Sequence, residues 1–314
     1  MSRVAVLGGG TSPEHDVSLR SAAAVAVALA TSGHEPVPIT IRRDGRWSTG
    51  GTDRPGSFAD GIAVLAGCDL VFPVLHGAPG EDGAIAALAQ LAGLPVVGCP
   101  TIGSAIAMDK HATKAVAAAL GIAVAPGLLL LPGEPVPPVA LPVVVKPTTA
   151  GSSVGVAVVR EQADLAGAVA AARRAGAAVL IESYVRGREV QVAVVERRDG
   201  SLLVPPAIEY GVAEGAVFDT SRKYDGSAAV RFPAEVEPAV EAALRRAAER
   251  LFRALGCRGL SRFDFFVTGS GFLLNEVNTM PGMTPQSGFP RMCRAAGLDL
   301  PALVDELVAV ALAG

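Results

Sequence analysis

Residues 260–284, LSRFDFFVTGSGFLLNEVNTMPGMT, carry the reading on which the fold turns. Two runs of alternating apolar and polar residues flank T-G-S-G, the pattern of a β-hairpin. A three-residue loop over Gly269–Gly271 sets Thr268 opposite Phe272, and the same register sets Asp264 opposite Glu276 and Arg262 opposite Asn278. Facing side chains have Cβ atoms about 4.5–5.5 Å apart, so two carboxylates there repel. A cation is therefore expected between Asp264 and Glu276, and removing one carboxylate should leave the empty protein as stable or slightly more so. Asp264, Glu276 and Asn278 offer only oxygen ligands, the set that suits Mg²⁺ beside phosphate oxygens and water. Phe263, Phe265 and Val267 mark the hairpin as packed, so the acidic pair is not simply a solvated face.

Magnesium held in this way points to a nucleoside triphosphate, and the lysines agree. Lys146 closes the apolar strand PVVVKP (142–147), directly before the Gly/Ser loop TTAGSSVG (148–155), whose N–H groups could cover phosphates. The loop leads into VGVAVV as an antiparallel hairpin. A lysine that ends a buried strand is costly without an anionic partner. Lys146 is accordingly preferred to Lys114, which reads as surface-prone; Lys110, in MDKHATK, opens a helix. There is no GxxxxGK[ST], so this is not a P-loop protein.

At the other end of the chain, VAVLGGGTSPEHDVS (4–18) runs a strand into three glycines. Gly8 and Gly10 fit the start of a dinucleotide fingerprint, but Pro13 stands where the third glycine belongs and the following strand ends in Arg42 and Arg43. The glycines instead suggest close approach to a small polar ligand, with Glu14 at the mouth of the next helix. A second strand-to-glycine turn, VFPVLHGAPGEDG (71–83), brings His76, Glu81 and Asp82. Strand ends of a doubly wound sheet converge on one edge, where ligands bind.

Between these segments short β-branched runs alternate with Ala-rich helical stretches: RVAVL, a helix near 18–31, PVPITI, CDLVFPVL, a helix near 83–92 and LPVVG. That order predicts a parallel sheet. One longer helix follows near 99–121, then GLLLL, a helix over 161–175, VLIESYV, EVQVAVVE and an amphipathic helix over 234–255. The expected domains are 1–98, 99–183 and 184–314. With 50% hydrophobic residues in 314, the chain can bury two or three cores. A net charge of −3 and no basic tract argue against nucleic acid. Cys68, Cys99, Cys257 and Cys293 stand singly, which fits a reducing compartment and gives no zinc signature. The run SAAAVAVALATSG (21–33) follows Glu14 and Asp16 and is no signal peptide, and no apolar run reaches the roughly 20 residues of a membrane span. A cytoplasmic protein is expected.

The segments HGAPGEDG, MDK, VVVKP with GSSVG, LIESYVRGREV, RKYDG, SRFDFF and NEVNTMPGMTPQS, preceded by GGTSPEHDVS, resemble in kind and order those of the D-alanine–D-alanine ligases of the ATP-grasp superfamily. The resemblance covers nearly the whole chain. It implies an α/β fold, α+β in its C-terminal part, with three-domain ATP-grasp architecture and an N-terminal parallel sheet. It also implies ATP-dependent joining of two D-alanines through an acylphosphate, for peptidoglycan precursors. By resemblance Glu14 holds the ammonium of the first D-alanine, with His76 nearby. Lys110, Lys146 and two Mg²⁺ (or Mn²⁺ as substitute) on Asp264, Glu276 and Asn278 neutralise the phosphates, under Ser152 and Ser153. Glu182, Tyr184 and Val185 read adenine, and Glu189 the ribose. Arg262 and the Gly282 N–H stabilise the tetrahedral oxyanion. Ser287 and Lys223 take the second carboxylate, and Tyr224 closes a lid through Ser152 and Glu14. A homodimer without nucleic-acid or membrane partners is implied.

Two departures touch the lid: TTA precedes GSSVG where many members carry an Arg-Glu or similar pair, and Phe218 replaces a frequent tyrosine. Depsipeptide-forming relatives lack the Lys-Tyr pair that this sequence keeps at 223 and 224. The alternatives are a sister ligase that makes D-alanyl-D-lactate, D-alanyl-D-serine or another dipeptide, and a non-catalytic nucleotide-binding module.

Overall fold

The computed structural model describes residues 1–49, 56–211 and 230–314. Phe218, Lys223 and Tyr224 lie outside the described residues.

Three sheets organise the chain. The first contains β1 (Arg3–Gly9), β2 (Glu35–Ile41), β3 (Trp47–Thr49) and β4 (Leu70–Pro73) in the order β3-β2-β1-β4. α1 (His15–Thr31), α2 (Phe58–Leu65) and α3 (Ala84–Leu91) accompany it. Val4, Ala5, Val6 and Leu7 are all buried, as expected of a central strand covered on both faces. β1 runs parallel to β2 and to β4, whereas the short edge strand β3 returns antiparallel to β2, so the sheet is mixed and not purely parallel. LPVVG, read as a strand, contributes only a bridge from Val96 to Val71. Because β1 and β4 point the same way, residues 9–14 and 74–83 emerge at one edge.

The single helix expected over 99–121 is two, α4 (Thr101–Met108) and α5 (Lys110–Ala119). Asp109 breaks it: its backbone is extended, and its carboxylate accepts from the N–H groups of His111 at 2.8 Å and Ala112 at 2.9 Å. Periodicity alone cannot see an N-cap inside an apolar run. The second sheet, β5 (Gly127–Leu130), β6 (Val143–Pro147), β7 (Ala157–Val159) and β8 (Val179–Ser183), is antiparallel in the order β5-β8-β6-β7 and is covered by α6 (Gln162–Ala175). β6 and β7 form the expected hairpin, Val143 facing Val159.

The third sheet holds β9 (Arg188–Glu196), β10 (Leu202–Leu203), β11 (Ile208–Tyr210), β12 (Val230–Arg231), β13 (Leu260–Thr268) and β14 (Gly271–Asn278). Its order is β12-β11-β9-β13-β14, with β10 on β9. α7 (Pro238–Ala254) starts at a proline, which fits the first helical turn, four residues later than periodicity suggests. Its Leu244, Ala248 and Leu251 pack with Phe263, Phe265 and Val190. α8 (Gly288–Ala295) and α9 (Leu300–Ala313) close the chain, and α9 lies against α1.

The hairpin of β13 and β14 keeps the expected acidic pair by a different route. Its turn is Gly269–Ser270, so Thr268 faces Gly271 and Phe265 faces Leu274, one step off the expected register. A bulge at Asn275 then restores the step, and beyond it Asp264 faces Glu276 and Arg262 faces Asn278.

Candidate active site

The opening glycines serve packing first. A Cβ on Gly9, at φ +92°, would lie 2.2 Å from the Ile41 carbonyl oxygen, and one on Gly8 would lie 2.7 Å from the Ala22 Cβ. These residues let β1 meet β2 and α1 closely; a Cβ on Gly10 would meet Leu75 only at an ordinary 3.6 Å. The expectation that all three glycines exist for a ligand is therefore corrected.

One narrow cavity gathers Glu14, His76, Lys110, Ser152, Arg262, Glu276, Asn278 and Gly282 from all three sheets. Glu14 is the residue before α1, and its side chain does not cap that helix. His76 is buried, and its Nδ1 lies 2.9 Å from the Met280 carbonyl oxygen. That contact calls for an N–H on Nδ1 and leaves Nε2, on a cavity residue, without a hydrogen-bond partner among the described residues. Glu81 sits behind His76 and accepts from the N–H groups of Gly77 at 2.8 Å and Met280 at 3.2 Å. It ties the loop after β4 to the loop after β14. Burial holds its carboxyl above the usual range, against the pull of His76 and the two N–H groups. Gly282 adjoins Ser287: a Cβ there would lie 2.9 Å from the serine Oγ, which is itself 2.8 Å from Thr284 Oγ1. Ser287 thus borders the cavity through Gly282 and does not line it.

Each acid of the pair has a protein cation beside it, Arg262 at Asp264 and Lys110 at Glu276. Arg262 donates from Nε to Asp264 Oδ1 and from Nη2 to Oδ2, each at 2.7 Å. Asp264 is fully buried and also accepts from Asn278 at 3.3 Å and Gln191 at 3.4 Å. Burial would lower the pKa of Arg262, but the Asp264 carboxylate outweighs it and raises it. Glu276 is 3.6 Å from the Lys110 ammonium, which also donates to the Ala150 carbonyl at 2.7 Å and so pins the 148–156 loop. These contacts argue against the expectation that loss of one carboxylate is harmless to the empty protein in the case of Asp264, since Arg262 would lose its partner. Asp264, Glu276 and Asn278 still fit a hard divalent cation by chemistry, all oxygen donors side by side across β13 and β14.

The remaining nucleotide-binding candidates cluster at the junction of the second and third sheets. Glu182 is the penultimate residue of β8, which connects through 184–187 to β9. Lys146 Nζ lies 2.7 Å from Glu182 Oε2 and 3.4 Å from Asn275 Oδ1, the residue of the bulge. Lys114, set aside as surface-prone, is instead buried and bonded to Glu182 Oε1. Its position one turn after Lys110 on α5 was the available signal, because residues four apart share a helix face. Burial, then the charge of Lys146, pulls Lys114 down to about 8. Burial pushes Glu182 up, yet Lys146 and Lys114 outweigh it and hold the carboxyl below the usual range. Glu189 is buried on β9 and joined to Asp264 by Gln191, whose amide donates to each at 3.4 Å. Sequence reasoning missed Gln191 and gave Glu81 no role. Tyr184 and Val185 are half-buried in the 184–187 connection, Tyr184 under the Arg160 guanidinium at 5.5 Å. Ser152 and Ser153 take φ of +53° and +56°, a left-handed pair uncommon away from glycine.

A family model described as D-ala D-ala ligase C-terminus matches residues 134–309, and one described as D-ala D-ala ligase N-terminus matches 3–61 and 52–99. The D-alanine–D-alanine ligase of Rhodococcus opacus is 41% identical over 99% of this chain and 97% of its own. The solved VanG D-Ala:D-Ser ligase of Enterococcus faecalis is 31% identical, with a TM-score of 0.85 over 98% of each chain. The ATP complex of the Bacillus anthracis D-alanine–D-alanine ligase is 26% identical, with a TM-score of 0.83 over 100% of this chain and 98% of that one. The fold is the ATP-grasp fold, and the chain belongs to the D-alanine–D-alanine ligase family.

Proposed function

We infer that this protein joins two D-alanines to D-alanyl-D-alanine with conversion of ATP to ADP and phosphate, a step in peptidoglycan precursor synthesis. One observation carries the reading: the strand-end loops of an amino-acid-sized site, with Glu14 and His76, open into the same cavity as Lys110, Arg262 and Glu276. In the first half-reaction a carboxylate oxygen of the first D-alanine forms a bond to the γ-phosphorus, and the bond to ADP breaks. In the second, the deprotonated amine of the other D-alanine attacks the acyl carbon and phosphate leaves. Both steps bring anions together, so alignment and charge neutralisation dominate.

Glu14 is assigned the ammonium of the first substrate, and His76 Nε2 stands beside it. Lys110 and Lys146 are assigned the phosphates, under Ser152 and Ser153. Arg262 spends Nε and Nη2 on Asp264. Its Nη1 corner is then available to the oxyanion together with the Gly282 N–H. Glu182, Tyr184 and Val185 are assigned adenine, Glu189 the ribose, and Ser287 with Lys223 the second carboxylate. Tyr224 closes the lid against water. Two Mg²⁺ ions on Asp264, Glu276 and Asn278 would supply further neutralisation of the triphosphate. A cytoplasmic homodimer belongs to the same reading; the four cysteines are free and buried, which suits a reducing compartment.

The test is product analysis by mass spectrometry with ATP, Mg²⁺ and a panel of D- and L-amino acids and D-lactate. D-alanyl-D-alanine is expected as the main product at pH 7 to 9, because an amine nucleophile gains from deprotonation as pH rises and a hydroxy acid does not. A predominant ester, or D-alanyl-D-serine as in the name of the VanG relative, would replace this substrate assignment.

A further inference from the structure

Glu182 is occupied at both oxygens: Lys114 holds Oε1 and Lys146 holds Oε2, and all three side chains are at most 7% exposed. Each carboxylate oxygen has two lone pairs, so Glu182 can accept from an amino group on the base while it keeps a lysine. If Lys146 is to reach a phosphate, it is the lysine that leaves its 2.7 Å contact with Glu182. Its surroundings permit that. Lys146 lies at the end of β6, next to the 148–156 loop, and has Asn275 Oδ1 as a second contact. Lys114 lies inside α5, with Glu182 its one hydrogen-bonded partner among the described residues.

We propose that Lys114 is a positioning residue: it keeps Glu182 ionised and fixed after Lys146 has moved to the phosphates, and so sets selectivity for a purine with a 6-amino group. Both consequences follow from the cost of a buried carboxylate without a cation. Without Lys114, Glu182 either retains Lys146, which weakens phosphate binding, or takes up a proton. A protonated Glu182 is a donor and would accept a 6-oxo purine, which the carboxylate repels. Lys114 would also hold α5 against β8, so that Lys110 and the 148–156 loop stay in line. The proposal rests on the assignment of Glu182 to the base, within the function inferred above.

Calorimetric titration of the full chain with ATP and with inosine triphosphate, in Mg²⁺ and without amino acids, tests it. The measurement does not depend on which amino acids are joined, so its failure is separate from failure of the ligase assignment. Lys114→Met is expected to weaken ATP at least tenfold and to shrink the ratio of ATP to inosine triphosphate affinity at least fivefold. Lys114→Arg should keep that ratio within twofold of the unmodified protein. In turnover assays the KM for ATP should rise in the Met variant and the KM for D-alanine should stay within twofold. Should the Met variant fail to fold, Lys114→Gln carries the same expectation. An unchanged ratio in the neutral variant, or an equal rise in both KM values, would overturn the proposal.

Discussion

The two halves of the candidate site are held together in different ways. At the amino-acid end, Glu81 bonds to backbone N–H groups on two loops and His76 bonds to a backbone carbonyl, with Nε2 left over. At the nucleotide end the charged side chains neutralise one another: Arg262 on Asp264, Lys110 on Glu276, Lys146 and Lys114 on Glu182. The first arrangement is a frame that can wait for a substrate unchanged. The second is a set of ion pairs that would be stand-ins on the proposed assignment of these acids to metal and base and of the lysines to phosphate. On that assignment nucleotide binding at that end would be an exchange of partners, with a net energy that is the small difference of large terms.

The largest expected effect falls on the ion pair whose carboxylate is fully buried. Asp264→Asn should reduce phosphate release by at least 1000-fold. It should also lower stability by the order of 3 kcal/mol, because it leaves the Arg262 guanidinium without its carboxylate. Thermal unfolding and a coupled ADP assay measure both, and a variant as stable as the parent would mean that Arg262 finds another partner cheaply. Glu276→Gln should cost comparable activity with much less stability, since Glu276 is partly exposed and its cation is 3.6 Å away. That contrast separates a structural pair from a functional one.

The frame should respond less and more selectively. Glu81→Gln turns one acceptor into a donor facing an N–H group, so the loops carrying His76 and Met280 lose register. A rise of about 10- to 100-fold in the KM for D-alanine, with the KM for ATP within threefold, is expected from steady-state kinetics. Equal rises would erase the distinction between the two ends.

A pH series supplies the smallest effect. With Lys114 at about 8, its ammonium loses its proton as pH climbs past that value, and Glu182 keeps only Lys146. Lys110, Glu276 and Lys146 are the other charges that face this site. ATP affinity is therefore expected to fall by up to about fivefold between pH 8 and 9 and to stay level in Lys114→Arg, as followed by calorimetry. For stability the sign is opposite. The unfolded chain keeps this proton up to the ordinary lysine value of 10.5 and the folded protein does not, so this group's contribution to stability rises with pH between about 8 and 10.5.

Much of the nucleotide end was legible in the sequence, and the reasons differ by residue. Alternation along β13 and β14 displays a period of two directly, so the pairing of Asp264 with Glu276 could be read. The bulge at Asn275 could not, because a bulge leaves the composition of a strand unchanged. Lys146 was found because a charge at the end of an apolar strand needs a partner; Lys114 was missed because its burial is set by packing of α5 on another sheet. Asp109 was visible as a residue type suited to an N-cap but not as a break, since Ala-rich sequence continues on either side. The roles of Glu81 and Gln191 depend on loops and strands distant in the chain, a relation no local pattern contains.

The exchange of partners at Glu182 is the claim that most needs a direct measurement. A crystal structure with a non-hydrolysable ATP analogue, Mg²⁺ and D-alanine would provide it. The account predicts that Lys146 Nζ moves from its 2.7 Å contact with Glu182 to a phosphate oxygen, that Lys114 stays on Glu182, and that Glu81 keeps both N–H bonds. Lys146 still on Glu182 beneath a fully bound triphosphate, or a Glu81 frame that rebuilds as the nucleotide binds, would contradict it.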